Sequence, residues 1–249
     1  PNSDTVIQHV RVHRDIDGLQ FFVLHKPAAA NTIFGDSAYR SPLMAGEDQP
    51  TYGGWQGIAS TIAFEKTSVG YVGNSDGFTE ISDYSMNDDF DEAPNGNVAL
   101  TGKLSIPPVV GISDFYVFLY FAPTREKLTE LAPIVTKIDV EKSLADYMAG
   151  WKEYLSMLTL PTNKKDNTLR RDLTVNSALV LKSGEDKTYR GSVIASPSHP
   201  WGESNMAWGP MSSERNAGYH VVWPRDLYNI ANGFLAIGDQ SPAVAILRR

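Results

Sequence analysis

Val140-Glu-Lys-Ser-Leu-Ala-Asp-Tyr-Met-Ala-Gly-Trp-Lys-Glu-Tyr-Leu-Ser-Met-Leu158 is the stretch on which the fold turns. Its apolar positions, Val140, Leu144, Tyr147, Met148, Trp151, Tyr154, Leu155 and Leu158, recur at spacings of three and four. That is the period of an α-helix with one apolar stripe. Asp139 suits the N-cap, and Pro161 closes the segment. Upstream, over about the first 125 residues, the pattern is different. Leu19-Gln-Phe-Phe-Val-Leu-His25, Ile58-Ala-Ser-Thr-Ile-Ala-Phe64, Ser68-Val-Gly-Tyr-Val-Gly73, Val98-Ala-Leu-Thr-Gly-Lys-Leu104 and Phe115-Tyr-Val-Phe-Leu-Tyr-Phe121 are short and rich in β-branched and aromatic residues. Turn residues at Asp17-Gly18, Asn74-Ser-Asp-Gly77 and Asn95-Gly96 separate them. The expectation is antiparallel sheets packed as a sandwich, then helices, with the change near residues 123–136.

Downstream, the spacing predicts helices over residues 166–181 and 224–237. Between them lie 42 residues, 183–224, without periodicity, holding three of the five tryptophans: Trp201, Trp208 and Trp223. Long connections of this kind in compact domains are usually functional or disordered, and the aromatic content favours an ordered loop system that builds a site.

Composition narrows the function. The chain has 249 residues, 22 Lys+Arg against 29 Asp+Glu and no Cys. A net charge of −7 and a pI near 5.2 argue against a nucleic-acid partner, which requires a basic face. Without Cys there are no disulfides, no thiol catalysis and no sulfur-bound zinc. No run reaches the ~20 apolar residues that span a bilayer. Residues 1–14 are polar and charged, unlike a secretory leader. The missing initial Met and the helix-like 239–249 read as marks of a processed or truncated chain.

The strongest local motif is Gly218-Tyr-His-Val-Val-Trp-Pro-Arg-Asp-Leu-Tyr228. Pro224 suits a helix N1 position, which puts Arg225 and Asp226 in the first turn. Two readings stay open: Asp226 caps the helix while Arg225 pairs nearby, or the two present charged donors and acceptors beside Trp223 and Tyr219. Sugars require the second arrangement, because hydroxyls take directional hydrogen bonds and the C–H face of the ring packs on an aromatic. In Gly191-Ser-Val-Ile-Ala-Ser-Pro-Ser-His-Pro-Trp-Gly-Glu203, Trp201 and Glu203 either pack a proline-rich loop or line a site. Glu203 and Glu214 are two carboxylates, the minimum for glycoside hydrolysis, but their spacing assigns them no role. The acidic Asn87-Asp-Asp-Phe-Asp-Glu92 lacks the order of a calcium loop. His9 and His13 share a face if their segment is a strand, which is too few ligands for a metal. Serine-hydrolase and phosphate-loop motifs are absent.

Five segments in order resemble the prokaryotic glucoamylase and glucodextranase family: Ser68–Gly77, Asp91–Gly102, Ala178–Lys182, Ile194–Glu203 and Gly218–Tyr228. The resemblance implies a multi-domain chain, β then α: part of an antiparallel β-supersandwich (1–125), a helical linker (126–164) and the first helices of an (α/α)6 barrel (165–249). It implies exo-acting, inverting hydrolysis that releases glucose from the non-reducing ends of α-glucans. Arg225 and Asp226 would grip the outer hydroxyls of the terminal glucose, Tyr219 would lie beside the ring, and Trp223 would form part of the wall. Trp201, Glu203 and Trp208 are further candidates. The family's catalytic glutamates belong to later barrel loops, so neither Glu203 nor Glu214 takes that role and the chain alone is expected to be inactive. A carbohydrate-binding module without catalysis and a glucosyltransferase of the same family are the alternatives. No cofactor is implied, and structural calcium has no motif to support it. The implied partners are an α-glucan or oligosaccharide and the remainder of the enzyme as a separate chain, with neither nucleic acid nor membrane. The implied location is extracellular or periplasmic, with cytoplasmic as the alternative.

Overall fold

The computed structural model describes residues 4–27, 35–47, 54–160, 168–197 and 221–248. Nine strands precede most of the helix: β1 (Asp4–Arg14), β2 (Phe22–His25), β3 (Asp36–Tyr39), β4 (Met44–Glu47), β5 (Gly54–Ser60), β6 (Phe64–Tyr71), β7 (Glu92–Gly96), β8 (Val98–Leu104) and β9 (Gly111–Ala122). Among the described residues they form two antiparallel sheets. One has six strands in the order β1-β9-β5-β4-β3-β7, the other three in the order β2-β8-β6.

β9 explains why the two sheets stack. Its side chains alternate between faces, as the pleat requires. Phe115, Val117 and Leu119 point into the sandwich, toward Leu104, Ile106, Val69 and Leu100. Phe118, Tyr120 and Ala122 point the other way, onto Met44, Trp55 and a helix, α2 (Arg125–Val135), through Leu128 and Val135. A strand covered on both faces reads as an unbroken apolar run, which is the pattern of 115–121. β9 is hydrogen-bonded on both edges, to β1 from Asp4↔Phe121 to Arg14↔Gly111 and to β5.

The family-like segments 68–77 and 91–102 interlock in this unit. A Cβ on Gly96 would lie 2.6 Å from the Tyr71 ring. The Tyr71 hydroxyl donates to the Pro94 carbonyl at 2.8 Å, and the Val72 N–H donates to the Asn97 carbonyl at 2.9 Å. Gly77, which opens the one-turn helix α1 (Gly77–Glu80), lies against Thr101 and Leu24, with no room for a side chain.

Several expectations change. The expected strand 58–64 is two, broken after Ser60, and the expected strand 19–25 begins at Phe22. Residues 123–136 are mostly α2 rather than a plain boundary, with the Thr124 hydroxyl accepting from the Lys127 N–H at 3.3 Å. The strands β1, β3, β4 and β7 were not foreseen. β1 puts His9 on Asp114, at 2.5 Å, and against the Tyr116 ring. The acidic segment 87–92 turns Asp89 and Asp91 to Arg40.

The described residues divide into two compact units near residue 140. The second holds α3 (Val140–Met157), α4 (Thr168–Ser183), α5 (Pro224–Ala236) and α6 (Gln240–Leu247). Pro161 lies outside the described residues. The core of this unit joins Ala178, Leu181, Leu227, Phe234, Ile237, Ala243 and Ile246. The α3 stripe is only partly covered: Tyr154 is buried, whereas Leu144, Tyr147 and Met148 are exposed.

Candidate functional site at the start of α5

Pro224 occupies N1 of α5, its fixed φ suiting the first turn and its missing N–H leaving no donor unsatisfied. Trp223 is the N-cap residue, and its carbonyl accepts the Leu227 N–H at 2.9 Å and the Asp226 N–H at 3.1 Å. No side chain caps the helix. Asp226 therefore does not cap, which removes half of the plainer reading of the motif. The other half survives as a loose contact, with Arg225 Nη2 3.7 Å from Asp226 Oδ2, beyond hydrogen-bond length.

Arg225 has 82% of its side chain exposed and Asp226 31%. Asp226 Oδ2 is itself covered and has no hydrogen-bond partner among the described residues. A carboxylate in the first turn faces the positive end of the helix dipole, so its charge is favoured there. Trp223 is 46% exposed beside them. The arrangement offers one guanidinium, one carboxylate and one indole at the opening of a helix. Hydrogen bonds to charged groups contribute about 1.5–3 kcal/mol, so a carboxylate oxygen without a partner among the described residues is a strong acceptor to offer a ligand.

The frame that holds this turn is closely packed. Leu227 and Phe234 anchor α5 in the helical core, and a Cβ on Gly233 would lie 2.9 Å from Leu181, which sets how closely α4 and α5 pack. The Ala195 N–H donates to the Val221 carbonyl at 3.1 Å. That bond joins two of the family-like segments, 194–203 and 218–228, across the residues between them. Tyr219, Trp201, Glu203, Trp208 and Glu214 lie outside the described residues, so of the predicted site only Trp223, Arg225 and Asp226 are placed, and they are placed together.

A charged network at the far end of α5 was not foreseen. Lys182, at the end of α4, lies 2.7 Å from Glu185 and 3.8 Å from Asp239, which follows α5. Its ammonium also stands over the Tyr154 and Phe234 rings. Glu185 has only 3% of its side chain exposed, and Arg190 approaches it at 3.4 Å. Burial and the neighbouring Asp239 carboxylate push the Tyr154 phenol well up. The spacing of Lys182 and Glu185 was a visible signal, but Asp239 joins them only through tertiary packing. Among the described residues no group of three or more His, Asp or Glu could hold a metal. No helix there is long and apolar enough to cross a membrane.

Residues 1–156 match the model of glucodextranase, domain N, and residues 168–248 match that of glycosyl hydrolases family 15. The chain belongs to the glucodextranase and glucoamylase family. It is 28% identical over 186 residues to a glucoamylase from Clostridium sp. (strain G0005), which covers 75% of this chain and 24% of that protein. Its fold is similar to the crystal structure of a bacterial glucoamylase complexed with acarbose, with a TM-score of 0.77 and 25% identity over 98% of this chain. The chain spans 35% of that solved glucoamylase and about a quarter of the Clostridium one. Family membership makes the protein a relative of glycoside hydrolases, with antiparallel sheets followed by helices as the shared architecture.

Proposed function

We propose that the chain is the portion of an exo-acting, inverting glucan hydrolase that supplies the outer part of its glucose subsite. The observation that carries this is the first turn of α5. There, Arg225 and an Asp226 oxygen without a hydrogen-bond partner among the described residues stand beside Trp223, inside the segment matched by family 15. A terminal glucose presents adjacent hydroxyls on one edge and C–H bonds on its faces. Arg225 donates to hydroxyl oxygens, Asp226 accepts from hydroxyl protons, and Trp223 covers an apolar face. Tyr219 belongs in this reading beside the ring, with Trp201, Glu203 and Trp208 along the wall.

The general acid and base are assigned to no residue of this chain. In an inverting hydrolase one carboxylic acid protonates the leaving oxygen while a carboxylate activates water from the opposite face, the two roughly 6.5–9.5 Å apart. Glu203 and Glu214 stay outside that pair. The support for oligosaccharide as ligand is that the similar solved glucoamylase was crystallised with acarbose.

Two measurements test the reading. The purified chain alone releases no glucose from maltose-type substrates, and activity arises when the remaining family 15 polypeptide is added. In the complete polypeptide, Arg225→Ala and Asp226→Asn each lower kcat/KM about ten- to a hundredfold, the value of one charged hydrogen bond. Glucose release by the chain alone, or kcat/KM within twofold of the parent in both variants, overturns it.

A further inference from the structure

Glu185 is a covered carboxylate outside the α5 site, with only 3% of its side chain exposed. Its oxygens face three donors: the Lys182 ammonium at 2.7 Å, the Arg190 guanidinium at 3.4 Å and the Gly191 N–H at 3.4 Å. Lys182 belongs to α4, whereas Arg190 and Gly191 belong to the turn that follows it. A covered ion pair adds little net stability, because the cost of drying its charges offsets their attraction. The use of Glu185 therefore lies in which groups it brings together.

The turn it holds is closed on itself. The Asp186 N–H donates to the Ser192 carbonyl and the Ser192 N–H to the Tyr189 carbonyl, both at 2.9 Å. The Asp186 carboxylate accepts the N–H groups of Thr188 and Tyr189, at 2.8 and 2.7 Å. Gly191, with φ 82°, lies directly on α6, where a Cβ would come 2.5 Å from the Ala245 carbonyl carbon. Past the turn, Val193 pairs with the Glu185 backbone in an antiparallel bridge, and its side chain is buried in the helical core.

Two residues further on, the chain meets the approach to α5. The Ala195 N–H donates to the Val221 carbonyl at 3.1 Å, and Val221 stands two residues before Trp223, the N-cap of α5. Residues 193–195 thus run from the clamp to the site, held by Glu185 at one end and by Val221 at the other. We infer that Glu185 is a positioning residue of the α5 site: by fastening the turn 186–192 to α4 it sets residues 193–195 against Val221, and through them the place of Trp223. Glu185 acts through these residues and not on the sugar. The inference rests on the proposed function for what Trp223 binds; the clamp itself does not.

Amide hydrogen exchange on the full 249-residue chain tests the geometry. E185Q keeps the shape of the side chain and removes its charge. In it the Ala195 amide is expected to exchange about tenfold faster, while the Phe234 and Ile237 amides exchange as in the parent, which separates local release from loss of fold. Kinetics in the complete polypeptide test the function. E185Q raises KM for maltotriose about five- to tenfold and leaves kcat within about twofold of the parent, because the loss is in binding. A merely structural role would lower the folded fraction, and so kcat, at unchanged KM. A195P removes the N–H that reaches Val221, touches no member of the ion-pair network and shows the same split. In W223A, E185Q adds less than about twofold to KM, since the residue it positions is gone. Unchanged Ala195 exchange or unchanged KM in E185Q, or full additivity with W223A, overturns the inference. If R225A and D226N lower kcat/KM while E185Q leaves KM alone, the role of Glu185 alone has failed; if those two leave kcat/KM unchanged as well, the α5 reading has failed with it.

Discussion

Replacing Lys182 with methionine isolates the electrostatics that hold α5 in place. Methionine keeps much of the apolar stem that lies over Tyr154 and Phe234, so the loss is chiefly one charge. In the parent, that charge faces Glu185 at 2.7 Å and Asp239 at 3.8 Å, with 3% and 14% of those side chains exposed. Removing the cation leaves two carboxylates covered by protein. Breaking a buried pair in this way is destabilising by about 3–5 kcal/mol. Arg190 still approaches Glu185 at 3.4 Å, so the lower end of that range applies. At about 4 °C per kcal/mol for a unit of roughly a hundred residues, K182M should melt about 12 °C below the parent. The assay is thermal unfolding followed by near-ultraviolet circular dichroism, repeated at low and high salt, since a covered pair is screened little. Adding E185Q to K182M should restore part of the loss by removing the stranded charge. Melting of K182M within about 2 °C of the parent would refute the assignment of Lys182 as the partner of both carboxylates.

Two further outcomes follow from the β-unit. Tyr120 is fully buried, burial pushes its phenol up to about 12, and its hydroxyl has no hydrogen-bond partner among the described residues. Y120F is therefore expected to raise stability by about 1–3 kcal/mol, seen as a higher urea midpoint at unchanged slope; a lower midpoint would show that the hydroxyl is satisfied. His25 bridges the sheets, with Nε2 3.0 Å from Gln56 Oε1, and burial holds its pKa below the ordinary 6.5. The neutral ring is thus favoured in the fold. Above pH ~6.5 folded and unfolded chains bind the same protons at this site; as pH falls below it the unfolded chain binds more and stability declines. Between pH 7.5 and 5, H25N should lose stability less steeply than the parent, and an equal slope would exclude His25 as the source.

The parts of the fold that were legible in sequence are those whose own residues dictate them. Val98–Leu104 and 115–121 announce strands because β-branched and aromatic side chains fill both faces of a pleat. Residues 140–158 announce a helix through their stripe. By contrast, Asp36-Ser-Ala-Tyr39 and Met44-Ala-Gly-Glu47 carry little strand preference, and pairing with β5 and β7 makes them strands. β1 is an edge strand with one wet face, so its charges hid it. Pro133 and a sparse set of buried positions disguised α2, although Thr124 marked its start. At the site, Trp223-Pro-Arg-Asp226 was legible because proline at N1 fixes where the helix begins. The exposure of Phe78 and Tyr84 was not legible, because they follow no period and exposure is a property of the folded surface alone.

The position of β9 has a consequence for biosynthesis. The strand that lies between β1 and β5 in the larger sheet is the last of the described strands in the sequence, and its contact with β1 closes a separation of 105 residues, from His9 to Asp114. A chain emerging from the ribosome therefore exposes β1 and β5 as unzipped edges until residue 122 is clear, and Trp55 stays wet until α2 follows. Ring closure over that distance is slow because its entropy falls due before any contact rewards it. The nascent sandwich thus passes its most adhesive moments waiting for a single late segment, so holding by chaperones matters most just before that segment appears.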